Sequence, residues 1–78
     1  MTEQERQTFL SWGYPPRDLH QLDEALKEVH LTKGNRRISK KKAREELGDE
    51  QYLSGIGRAA FHMTAQRGDI SFSLRHWW

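Results

Sequence analysis

A mainly α-helical domain, a small bundle of four or five short helices closed by one C-terminal β-strand, is the architecture this sequence predicts. Three observations carry it. Two helix starts are marked by capping residues, Thr2 with Glu5 three positions on, and Ser39 before a charged run. Leu19, Leu22, Leu26 and Val29 recur at helical spacing, with Ala25 beside them. After the turn pair Gly68-Asp69, Ile70-Ser71-Phe72-Ser73-Leu74-Arg75 alternates apolar and polar, which is a strand with one apolar face.

Totals narrow the class. Seventy-eight residues form one domain. It divides into helical support over 1–34, a basic unit over 35–67, and a strand with an aromatic tail over 68–78. A core of this size is marginal by itself. The sequence has no cysteine, so disulfides and thiolate metal sites are excluded. Net charge is only +2, so its distribution matters more than its sum. Seven of the thirteen Lys and Arg residues fall between Lys33 and Arg44. No apolar run is long enough for a membrane span, and Met1-Thr2-Glu3-Gln4-Glu5 lacks signal-peptide character. A soluble cytoplasmic protein is expected.

The first helix is predicted from about Glu3 to Trp12, with Glu3 and Glu5 at the positive end of its dipole. Gly13 suits its close, and Tyr14-Pro15-Pro16 forbids its continuation. It should act as a lid packing Phe9 and Trp12 onto the rest. The second helix starts at Pro16 or Asp18 and should run to Leu31 or Thr32, with Gly34 as its stop. Its leucine stripe reads as the core face of one helix rather than a dimer seam, because a coiled coil needs several heptads. Asn35-Arg36-Arg37-Ile38 reads as an extended link. Ser39 caps a third helix ending at Gly48, with Ala43 and Leu47 inward and Ile38 as a staple residue. From Asp49 to Gln66, inward residues Tyr52, Leu53, Ile56, Ala60 and Met63 predict either one helix or two, divided at Ser54-Gly55-Ile56-Gly57. Arg58, His62 and Gln66 form one polar stripe on it. Arg36-Arg37-Ile38, or the same strand of a second chain, is the partner expected for the C-terminal strand.

The third helix is electrostatically reversed. Lys40, Lys41 and Lys42 crowd its positive end, while Glu45 and Glu46 sit near its negative end. Each misplaced charge costs about 0.3–1 kcal/mol. Local conflicts of this kind are expected at functional sites, and a phosphate held by Lys side chains and free backbone donors would relieve this one. Gly55-Ile56-Gly57-Arg58-Ala59-Ala60 matches a dinucleotide fingerprint by letter only, since no strand precedes it and the chain is too short for the βαβ units it serves. His20, His30, His62 and His76 have no metal-ligand spacing. No nucleophile, base and orienting partner stand together in the pattern. The expectation is a non-enzyme with no catalytic residue, cofactor or metal.

Ile38-Ser39 opening a helix, Ala43 at its crowded inner position, Leu47-Gly48 at the turn, and Leu53 and Ile56 inside the next helix resemble the helix-turn-helix DNA-binding proteins of bacterial mobile elements, over 38–66. In that family a glycine follows the small residue by four positions, and here Gly48 follows Ala43 by five. The resemblance implies a small DNA-binding regulator or accessory protein. Lys33, Arg36, Arg37, Lys40, Lys41, Lys42 and Arg44 would contact duplex phosphates. Arg58, His62 and Gln66 would face base edges. A homodimer, through the C-terminal strand or the second helix, would add specificity. The competing expectation is a protein-interaction module or inhibitor, with Phe72, Leu74, Trp77 and Trp78 meeting a protein or nucleoprotein partner.

Overall fold

The computed structural model, which describes residues 1–74, begins with the helix that Thr2 and Glu5 cap. In α1 (Glu3–Ser11) the Thr2 hydroxyl accepts from the Glu5 amide at 3.2 Å, and the Glu5 carboxylate accepts from the Thr2 amide at 2.8 Å. Gly13, at φ +98°, closes the helix in a conformation that favours glycine. Phe9 is fully buried and anchors α1. The expected lid is thus half right, because Trp12 meets Phe9 edge-on at 6.0 Å but stays 42% exposed. A 3-10 turn over Pro16–Asp18 leads into α2 (Leu19–Glu28), which buries Leu22 and Ala25.

The sequence expectation fails at Glu28. Instead of running to Thr32, the helix stops and Val29 turns extended, at ψ 137°. β1 (His30–Lys33) follows, then β2 (Arg36–Arg37) after a tight turn in which Gly34 has φ +63°. α3 (Lys40–Leu47) begins at Ser39, whose hydroxyl accepts from the Lys42 amide at 3.1 Å. One residue, Gly48, joins it to α4 (Asp49–His62), a single helix. β3 (Thr64–Arg67) and β4 (Ile70–Ser73) form a hairpin around Gly68-Asp69. Among the described residues no helix is long and apolar enough to cross a membrane.

The fold is therefore α+β, not a mainly α bundle with one strand. Four helices pack with a four-stranded antiparallel sheet of order β2-β1-β4-β3 among the described residues. β4 pairs with β1 on one side and with β3 on the other. Neither the Arg36-Arg37 segment nor a second chain is the partner of this strand. Register sorts the two faces of the sheet. Leu31, Phe72 and Ala65 stand opposite one another facing the core, and Thr32, Ser71 and Gln66 form the next row, facing out.

α4 lies at the centre, against α2, α3 and the sheet. Its two glycines do not divide it. A Cβ at Gly55 would fall 2.5 Å from the Phe72 ring, and one at Gly57 would collide with the Tyr14 hydroxyl. Both positions are glycine because an aromatic ring occupies the space of a side chain. Met63, expected inward, is 49% exposed and holds φ +71° at the corner between α4 and β3.

Candidate nucleic-acid interface

The basic residues between Lys33 and Arg44 do not gather into one surface. Lys33 pairs with Glu46, Nζ to Oε2 at 3.0 Å. Arg44 pairs with Glu5, lies with Nε 3.3 Å from Asp49 Oδ1, and has its guanidinium 4.8 Å from the Tyr52 ring centre. Burial of Glu5 works against its charge, but the Thr2 amide and Arg44 outweigh this and hold its pKa below the usual carboxylate range. Burial also pushes the Tyr52 hydroxyl up. Lys40 Nζ donates to the Lys27 carbonyl at 2.5 Å, in the last turn of α2. A cation belongs at that end of a helix, so the charge that is misplaced on α3 is well placed for α2.

What is left is smaller than the run suggests. Arg36, Lys41 and Lys42 are exposed and meet no carboxylate among the described residues. Arg37 reaches across the sheet, Nη2 3.3 Å from His30 Nδ1, and because a guanidinium only donates, the ring nitrogen accepts. A hollow of about 810 Å³ beside Lys40 and Lys41 is lined by Glu5, Asp23, Glu45 and Asp49 as well as by cations.

A second groove, of about 530 Å³, has a different character. Arg58 and His62 come from the last turns of α4, and Gln66 from β3. The outward row of the sheet supplies His30, Thr32, Ser71 and Ser73. Among the described residues no carboxylate lines this groove. The three residues read as a helical stripe thus share one cavity, although Gln66 is not on the helix. Its amide donates to the Gly68 carbonyl at 3.2 Å.

Sequence reasoning missed His30, Thr32, Ser71 and Ser73 as lining residues. The alternation Val29-His30-Leu31-Thr32 before Gly34-Asn35, and the polar half of Ser71-Phe72-Ser73, were the signals available. The candidate protein interface is corrected as well. Phe72 is 1% exposed and belongs to the core, and Leu74 packs against that core, half-buried. Trp77 and Trp78 lie outside the described residues. A dimer through the C-terminal strand is excluded for β4, since both its edges are paired within the chain.

Fold and site together define a small α+β domain with an open groove, free of carboxylates among the described residues, where the end of the central helix borders the sheet. Comparison with known proteins finds no family model, no curated protein and no solved structure that matches this chain.

Proposed function

We propose that this protein is a small DNA-binding regulator or accessory factor that contacts duplex DNA through the groove formed by α4 and the outer sheet face. One observation carries the reading: Arg58, His62 and Gln66 converge on a groove lined by hydroxyls and imidazoles and by no carboxylate among the described residues. Such a lining presents donors to phosphate oxygens and to base edges, and it does not repel the backbone. Arg37, joined to the groove through His30, and the exposed Arg36, Lys41 and Lys42 extend the cationic surface along β2 and the start of α3. Lys33, Lys40 and Arg44 take structural roles instead. The pair α3–α4 supports the helix-turn-helix resemblance, with the hairpin β3–β4 beside it. DNA binding of this kind implies a cytoplasmic location.

The test is fluorescence anisotropy with a generic duplex at two salt concentrations. With about four phosphate contacts, affinity should fall about a hundredfold from about 50 to 200 mM salt. Lys41→Glu and Arg37→Glu should weaken binding to every sequence alike. Binding that ignores both salt and charge reversal rules the proposal out.

A second reading, capture of a protein partner, rests on other residues than those first expected. Trp12 and Phe61 are 42% and 39% exposed, and Tyr14 stacks on Phe61 at 6.0 Å. In that reading Trp12→Ala and Phe61→Ala lose the partner, while duplex binding is absent from the start.

A further inference from the structure

Two half-buried arginines among the described residues are treated oppositely. Arg44 has Glu5, Asp49 and the Tyr52 ring. Arg67 has neutral partners only. Its Nε and Nη2 both donate to the Ser54 hydroxyl, at 3.2 and 2.9 Å, and its Nη1 donates to the Gln66 carbonyl at 2.7 Å. No carboxylate lies within ion-pair distance of it among the described residues. A guanidinium carries five N–H donors, so one remains on each terminal nitrogen. The side chain is oriented by the fold, and its charge is partly withdrawn from water.

The surroundings suit an anion. Arg67 lines a hollow of about 370 Å³ between α4 and the turn before α2, together with Ser54, Arg58, His62 and Tyr14. Ser54, Arg58 and His62 follow one another at four-residue spacing along one face of α4. Arg58 and His62 also line the larger groove, so they form the ridge between the two. One carboxylate, Asp18, stands at the rim, and its side chain makes no cap bond to α2.

We propose that this hollow is a phosphate subsite, in which a phosphate ester accepts from the two remaining Arg67 donors and from Arg58. The proposal rests on the DNA-binding reading for its source of phosphate, the duplex backbone. The ridge of Arg58 and His62 then enters a groove of the DNA, with one strand's phosphate at Arg67. Asp18 opposes the anion and limits its affinity.

Duplex binding by anisotropy at two salt concentrations, with folding followed by circular dichroism, tests it. Arg67→Gln should weaken binding about tenfold and reduce the salt slope by about one. Ser54→Ala, which keeps the charge but frees the arginine, should weaken it about threefold, about what a lone hydrogen bond contributes. Asp18→Asn should strengthen it about threefold. If Arg67→Gln does not fold, Asp18→Asn decides. Wild-type binding that is weakened by Lys41→Glu but untouched by Arg67→Gln and Asp18→Asn overturns the subsite and leaves the DNA-binding reading standing. If the wild type binds no duplex, that reading fails, and the subsite is tested with inorganic phosphate and a nucleoside monophosphate. A saturable shift of the Arg67 Nε–H NMR signal that Asp18→Asn sharpens assigns the hollow to free phosphate esters, and no shift overturns it.

Discussion

The two larger grooves set their basic side chains in opposite company. In the groove beside α3, Lys27, Lys40, Lys41 and Arg44 alternate with Glu5, Asp23, Glu45 and Asp49. In the groove beside β4, Arg58 and the two histidines meet no lining carboxylate among the described residues, and His30 accepts from Arg37. Apart from exposed Lys41, which makes no ion pair among the described residues, the first is a structural seam. Asp23 there holds Lys27 at 3.3 Å and the Met1 amino group at 2.5 Å, contacts that lower its pKa. In the second, Arg58 makes no ion pair among the described residues. A count of positive residues along the chain points to the first groove, and the pairing of charges in space points to the second.

Phe72 backs the neutral groove and fills the space beside Gly55, so Phe72→Ala should cost about 3–5 kcal/mol of stability, measured by urea denaturation. Loss under 1 kcal/mol would mean that the sheet and α4 are not packed as described. In the mixed groove, Glu5→Ala removes both the return bond of the capping box and the Arg44 pair, and should cost about 1–2 kcal/mol. The same substitution should flatten the acid limb of the stability curve. Glu5 has a depressed pKa, so its contribution is complete above the ordinary Glu value and is lost as pH falls through the lower, folded-state value. Thermal unfolding across that range, for both proteins, checks the sign.

Placing a carboxylate in the neutral groove should erase its distinction. Ser71→Glu is expected to weaken duplex binding about tenfold, equivalent to about 1.4 kcal/mol, while Lys27→Glu in the mixed groove changes it less than about twofold. Equal effects would show that the two grooves do not differ in use. The smallest effect is expected at the corner that delivers Gln66 to the groove. Met63 holds a left-handed backbone at φ +71°, and Met63→Gly should stabilise the fold by about 0.5–1 kcal/mol by removing the cost of its Cβ there.

Helix starts, and the stops at Gly13 and Gly48, were legible because their causes are local. Thr2, Glu5, Gly13, Ser39 and Gly48 act within one turn of where they stand. The sheet was not, apart from β4 and the short extended segment at Arg36-Arg37. Val29 continues the leucine stripe of α2 by spacing, so a helical reading absorbs it, and what ends the helix is the pairing of His30–Lys33 with Ile70–Ser73, about forty residues away. Thr64-Ala65-Gln66-Arg67 has one small apolar residue and no pattern of its own. Its strand follows from the two-residue turn Gly68-Asp69, which needs a strand on both sides. The site was legible as a set of residue types and not as a place. Arg58, His62 and Gln66 do share a groove, but Gln66 reaches it through a hairpin, and Lys33, Lys40 and Arg44 are taken up by partners that charge patterning does not reveal.

The bare α-carbon of Gly55 beneath the Phe72 ring couples two positions seventeen residues apart in sequence. A methyl group there would have to be answered by a smaller ring opposite, and neither change is tolerable before the other. Across any set of chains built this way, those two sites should drift as a pair or stand still together, and the distance between the helix and the strand, hence the width of the cleft they border, should be inherited unchanged.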